Sequence, residues 1–339
     1  MADYRKSDAR AWAREHLVGC SAVTIPTFTS DLKRLNEDAI RHDVERAIEH
    51  GFTYTLVMTE TAISPEEAGR FMAIARETAA GRLRLFAHTA FGTLDDNLEA
   101  LRLAEREGAD LVLLSYPPQF WPTTEQEVYD WTRAICDATE LGVMLFGLPA
   151  WGFERIHPAG MSVSFVRHVL DTIPNIVAIK AEQGNPLIAG TCEMYYHFRD
   201  EVLISCPIEA DTIPLMGVME MQFSGTSNTQ WMSDWFPQTF ELARSGHYPE
   251  AMERYWQVQP ARLATSASMQ AYIGGTTVLN RTMWKYQDWL AGYNGGPLRH
   301  PALRIPDRFM KSFRAALEAS DLPVTADPDS EFMVGRNPA

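Results

Sequence analysis

Eight short apolar runs, amphipathic stretches between them and a long helical region near the end predict an α/β protein: a single (β/α)8 TIM barrel with additional C-terminal helices. The runs are CSAVTIPTF (20–28), TYTLVM (53–58), LRLFAH (83–88), DLVLLSY (110–116), GVMLFGL (142–148), NIVAIK (175–180), EVLIS (201–205) and MQFSG (221–225). They are rich in Val, Ile, Leu and Phe, and most do not alternate with polar residues. Strands covered on both faces have this composition, and parallel sheets have such strands.

The intervening stretches carry helix signals. In 64–81, Ser64 can cap and Pro65 sits at the first helical position. In 93–109, Thr93 is the cap and Gly108 lies near the end; 123–142 reads the same way. An open doubly wound sheet is the competing architecture, but no glycine fingerprint follows the first run. Residues 230–320 read as helical throughout. The expected organisation is a helical extension over 1–18, the barrel over 19–245, a helical region over 246–322 and a loosely ordered polar tail over 323–339.

Composition narrows the function. The formal net charge of −14 argues against nucleic acid and anionic membranes as partners, since both require basic surfaces. Cys20, Cys136, Cys192 and Cys206 show no paired spacing, which suits a reducing compartment. The charged N-terminus lacks an apolar leader and no run of about 18 apolar residues occurs, so a cytoplasmic enzyme is expected. No metal or other cofactor is expected, because no His/Asp/Glu cluster ends successive strands.

There are five lysines, and Lys180 alone closes an apolar strand, Asn175 to Lys180. The other four, Lys6, Lys33, Lys285 and Lys311, lie in polar or helical contexts. As the sixth strand, 175–180 delivers its last residue to the barrel mouth, where barrel enzymes place their reacting groups. Desolvation there lowers an amine's pKa and frees it to attack a carbonyl. A structural lysine paired with a barrel carboxylate is the other reading of the same position.

At these residues the chain resembles the family of dihydrodipicolinate synthase and N-acetylneuraminate lyase. The resemblance runs through AVTIPTF (22–28), ISPEE (63–67), AHTAFGT (87–93), YPPQFWPTTEQEVYDW (116–131), FGLP (146–149), VAIKAEQG (177–184), FSGTSN (223–228) and GPLRHPALRIP (296–306). It implies that Lys180 forms an imine with a 2-oxo acid, and that the chain is a homo-oligomer, tetramer or dimer. The helical region with WKYQDWLAGYNGGPLRHP looks closest to the hydratase-aldolase branch, which releases pyruvate and an aromatic aldehyde.

Two departures bear on chemistry. The family's proton-relaying tyrosine falls on Phe146, which has no hydroxyl. Its carboxylate-holding Gly-Thr-Thr-Gly-Glu loop falls on 56–61, where Thr59, Glu60 and Thr61 remain. His88, after the third run, and Tyr116, after the fourth, are the candidates to replace the tyrosine as acid or base. Each also has a packing reading. Glu182 can orient the Lys180 amine or stand in solvent; Ser224, Gly225 and Asn228 match the eighth-strand motif and suit backbone positioning.

Phe120, Trp121, Trp151 and Phe153 follow the fourth and fifth runs and suggest an apolar or aromatic small-molecule carbonyl substrate, or a subunit interface. The expected function is a Schiff-base lyase or aldolase. The alternatives are a sugar-acid dehydratase using the same imine, or an altered barrel that binds a metabolite.

Overall fold

The computed structural model describes residues 3–117, 119–182, 187–276, 280–301 and 304–339. Parts of the quoted motifs at 118, 183–184 and 302–303 lie outside them. The strands are β1 (Gly19–Thr24), β2 (Tyr54–Val57), β3 (Arg84–Thr89), β4 (Leu111–Leu114), β5 (Gly142–Gly147), β6 (Ile176–Ala181), β7 (Leu203–Ser205) and β8 (Phe223–Ser224). Each falls within about one residue of the apolar run that predicts it.

All pairings are parallel, in the order β7-β6-β5-β4-β3-β2-β1-β8. The two ends meet: Ser205 Oγ donates to the Gly225 carbonyl at 3.0 Å and accepts from the Gly225 N–H at 3.3 Å. The barrel is thus nearly closed. A side chain at Gly225 would collide with Ser21, whose Cβ lies 2.5 Å from where a Cβ would sit.

The helices are α1 (Ala9–His16), α2 (Glu37–Glu49), α3 (Pro65–Ala79), α4 (Leu94–Arg106), α5 (Glu125–Asp137), α6 (Val163–Thr172), α7 (Leu187–Phe198), α8 (Glu209–Leu215), α9 (Trp235–Arg244), α10 (Tyr248–Gln257), α11 (Gln259–Thr276), α12 (Arg281–Leu290) and α13 (Asp307–Glu318). Ser64 and Thr124 each close a capping box with a glutamate three residues on, and Thr93 caps α4, as their positions before the apolar periodicity predict.

Two apolar layers result. The outer layer joins strands to helices and includes Val112, Leu114, Leu145 and Ile179. The inner layer fills the barrel with Leu56, Met58, Leu113, Met144 and a central trio, Tyr54, Phe86 and Phe223, with centroids 5.4–5.9 Å apart. The N-terminal extension covers the bottom: Trp12, Ala13 and Leu17 join the inner layer, and Arg10 donates to the carbonyls of Ile176 and Leu170.

The C-terminal part departs from expectation twice. The described residues of 291–306 contain no helix; they hold Tyr293 and Asn294, both buried, with Asn294 N–H donating to Asp43 at 2.6 Å. The tail is packed rather than loose. Phe332 is buried against Tyr286 and Trp289, Arg336 pairs with Asp327, and the Ser30 N–H donates to the carbonyl of Ala339. Asp329, Arg336 and Asn337 hydrogen-bond to residues before the tail, which composition alone does not reveal.

Phe332→Ala removes a fully covered ring, so it should cost about 3 kcal/mol. Urea unfolding at unchanged m-value checks this; a loss under about 1 kcal/mol would mean the tail contributes little.

Candidate active site

Strand parity decides which side chains meet at the mouth. On β3, Phe86 faces inward, so His88 does too. On β5, Met144 and Phe146 face inward; on β6, Ala178 and therefore Lys180. Phe146 and Lys180 are register partners in the β5–β6 ladder. The Lys180 Nζ stands 3.8 Å from the Phe146 ring centroid, over its face.

Lys180 is only 4% exposed. Its ammonium donates to the Thr226 carbonyl at 3.1 Å and lies 3.4 Å from Glu182 Oε1. Burial lowers its pKa; Glu182 opposes that shift and Arg281 adds to it. The cation is held by a ring face, one carbonyl and one carboxylate, a set that leaves its unprotonated form accessible. Of the two sequence readings of Glu182, orienting the amine or standing in solvent, the structure places its carboxylate beside the amine.

His88 sits in a second cluster on the same rim. The Thr59 N–H donates to its Nδ1 at 3.4 Å, which leaves the ring proton on Nε2. Nε2 is 2.9 Å from Ser115 Oγ and 3.9 Å from Glu60 Oε1. Thr59 Oγ1 donates to the His88 carbonyl at 3.1 Å, so both donors of Thr59 are committed to this histidine. Burial depresses the His88 pKa to about 4 despite Glu60, so the imidazole is neutral at pH 7. A neutral ring can accept a proton, or polarise a bound oxygen through Nε2–H.

Glu60 is clamped by Arg281. Oε2 accepts from Nε at 2.7 Å and also from Nη2. Burial pushes the Glu60 carboxyl up, but Arg281 and His88 outweigh it and hold the group below the usual carboxylate range. Arg281 is buried and stacks over Trp284, with Cζ 3.9 Å from the ring centroid. Its charge acts on both Lys180 and His88.

Other candidates lie elsewhere. Tyr116 has the opposite parity to Leu113 and Ser115 and points toward α5. Its hydroxyl donates to Thr132 Oγ1 at 2.6 Å, since Thr132 directs its own proton to Val128 O at 2.8 Å. Burial raises its pKa far above the ordinary phenol range. Tyr116 thus anchors an outer aromatic cluster with Phe120 and Phe153, whose centroids are 5.8 and 4.9 Å away. Phe153 is buried there. Trp121 is two-thirds exposed under the Arg155 guanidinium at 3.5 Å.

Of the rim aromatics, Trp151 reaches the inner wall. Its ring meets Phe146 edge-on at 5.4 Å, and its Nε1 donates to the Phe146 carbonyl at 3.0 Å. Ser224 Oγ donates to the Cys206 carbonyl, a backbone role. Thr61 is fully buried with an unpartnered hydroxyl. Asn228 is buried with its Oδ1 unpartnered.

Sequence reading missed Ser115, Thr226 and Arg281. Ser115 and Thr226 were within reach, since one has the inward parity of β4 and the other follows Gly225 in a quoted motif. Arg281 carries no local signal, because 221 residues separate it from Glu60. Lys285 lies in a helix as expected, but it is also buried, with Nζ donating to Pro26 O at 2.9 Å and Thr27 Oγ1 at 2.5 Å, and burial lowers its pKa to about 7.

The fold has relatives among known proteins. Dihydrodipicolinate synthase from Aquifex aeolicus superposes with a TM-score of 0.75 at 18% identity, covering 91% of this chain and 99% of that one. An uncharacterized DapA-like lyase of Pyrobaculum arsenaticum is 21% identical over 89% of this chain and 98% of its own. A 4-hydroxy-tetrahydrodipicolinate synthase of Clostridium perfringens is 24% identical over the same shares of each chain. Barrel and relatives together define a class, the carbon–carbon or carbon–oxygen lyases of class I aldolase type. Within it, this chain belongs to the dihydrodipicolinate synthetase family, whose model matches residues 18–273.

The His88 environment sets a pH dependence. Its folded pKa lies below its unfolded value, so the unfolded state binds more protons between about pH 6.5 and 4. The stability this group contributes is fully present above that window and is lost as pH falls through it. Over it, the wild type should lose on the order of 3 kcal/mol more than His88→Gln. Denaturant titrations at several pH values check this; parallel curves for the two proteins would contradict a buried neutral His88.

Proposed function

We propose that Lys180 is the imine-forming amine of this lyase, and that its substrate is a 2-oxo acid or related carbonyl compound bearing an apolar or aromatic substituent. The observation that carries the reading is the buried Lys180 ammonium, held between the Phe146 face, the Thr226 carbonyl and Glu182 at the end of β6. The amine loses a proton, with Glu182 the nearest acceptor, and adds to the substrate carbonyl. The carbinolamine then loses its oxygen as water and becomes a protonated imine. That cation draws electrons from the adjacent bond, so cleavage leaves an enamine that a proton donor must quench.

Phe146 has no proton to relay. The neutral His88 imidazole, with Glu60 and Ser115 beside it, is the acid–base group this reading assigns to that work. Apolar walls at Phe146 and Trp151 favour an aryl or alkyl substituent over a polyhydroxylated chain, whose hydroxyls would lack partners there.

Borohydride reduction with a panel of 2-oxo acids and aldehydes, followed by peptide mass mapping, should place the adduct on Lys180. Lys180→Ala should lose turnover by several orders of magnitude. Lys285 is the demanding control, being a second buried lysine; its Nζ is committed to Pro26 and Thr27. An adduct mapping to Lys285 would refute the assignment.

Trp151→Ala should lower kcat/KM for aryl substrates by roughly ten- to a hundredfold, with a smaller effect on small aliphatic ones. Trp121→Ala, whose ring lies on the outer surface, should change neither. A preference for polyhydroxylated acids, untouched by Trp151→Ala, would favour a dehydratase instead.

A further inference from the structure

We propose that Arg281 holds a carboxylate of the substrate through its Nη1, so that a helix outside the barrel supplies the anion anchor of the site. The proposal rests on the lyase reading of Lys180 and names what the same site recognises.

Three observations carry it. Arg281 is buried, yet its Nη1 has no hydrogen-bond partner. A buried guanidinium donor left unpaired has given up its water hydrogen bonds for nothing, so an acceptor is expected there. Second, Nη1 is the guanidinium nitrogen that no described residue claims: Glu60 takes Nε and Nη2, and Trp284 covers the ring-like face. Third, the side chains of the loop after β2 have little to offer an anion. Thr59 directs both of its donors to His88, and Glu60 carries a negative charge that repels an anion. Of its side-chain donors, the Thr61 hydroxyl is the one that is buried and unpartnered.

Glu60 has a definite part in this arrangement. It fixes the guanidinium, and it also competes with an incoming carboxylate for the same charge. Removing its charge while keeping its shape should therefore strengthen anion binding, which a merely structural ion pair would not do. A substrate carboxylate at Nη1 would also place its negative charge near the Lys180 cation, on which Arg281 already acts.

The test uses 3-phenyllactate, a carboxylate that cannot form an imine, with 3-phenyl-1,2-propanediol as its uncharged control. Calorimetric titration of the full-length protein should show binding of the acid and weak binding of the diol. Arg281→Met should weaken the acid at least tenfold and leave the diol unchanged. Glu60→Gln should tighten the acid several-fold. Equal acid affinity in wild type and Arg281→Met overturns the proposal. If Arg281→Met does not fold, unchanged or weaker acid binding by Glu60→Gln overturns it. Borohydride trapping of pyruvate is run in parallel. A Lys180 adduct without Arg281-dependent acid binding leaves the lyase reading standing and the anchor refuted. Arg281-dependent binding with no Lys180 adduct does the reverse.

Discussion

Removing an ammonium group from water is costly unless something replaces the water, and the region around Lys180 is organised by that constraint. Its replacements are few: a ring face at 3.8 Å, a carbonyl at 3.1 Å and a carboxylate at 3.4 Å. None of them is a full hydration shell, so the charged form is disfavoured relative to a free lysine. Each partner comes from a different part of the fold. Phe146 is the neighbour on β5, Thr226 follows β8, and Glu182 follows β6 itself. Near-closure of the barrel through Ser205 and Gly225 is what brings the β8 end across to β6.

The second cluster depends on the helices added after the barrel. α12 is fixed to the β1 side by buried polar groups. Lys285 reaches Pro26 and Thr27, and Asp288 accepts from Gln230, which itself brackets the backbone of Val23. With that helix fixed, Arg281 at its start meets Glu60 after β2, and Glu60 in turn flanks His88. The histidine tautomer follows from the Thr59 N–H. A chain of local contacts thus links a C-terminal helix to a barrel-mouth imidazole, and each contact replaces water lost on burial.

The aromatic residues divide by layer rather than by position in sequence. Tyr116 and Phe153 belong to the packing between strands and helices, Phe146 lies beside the lysine, and Trp151 bridges the two layers, edge-on to both Tyr116 and Phe146. Phe146 offers the lysine only its ring face. Beyond Glu182, at 3.4 Å from the amine, a second ionisable cluster at the barrel mouth is that of His88 and Glu60.

Much of this was determined by the sequence alone. Apolar runs that do not alternate specify strands buried on both faces, and eight of them in α/β alternation leave little besides a barrel. Ser64, Thr93 and Thr124 mark their helices because capping is a local interaction. Lys180 was legible for a similar reason: a lysine closing an apolar strand is unusual within a few residues of chain. The tertiary structure alone decided the rest. Tyr116 and Ser115 are adjacent, and the two-residue period of a strand sends one out and the other in. Lys285 reads as one more lysine on a helix, and only the fold buries it near Asp43 and Asp288. The tail reads as loose until Phe332 finds Tyr286 and Trp289. The pairing of Arg281 with Glu60 joins residues 221 positions apart, and no local pattern encodes so distant a contact, because only the packed barrel brings them within reach.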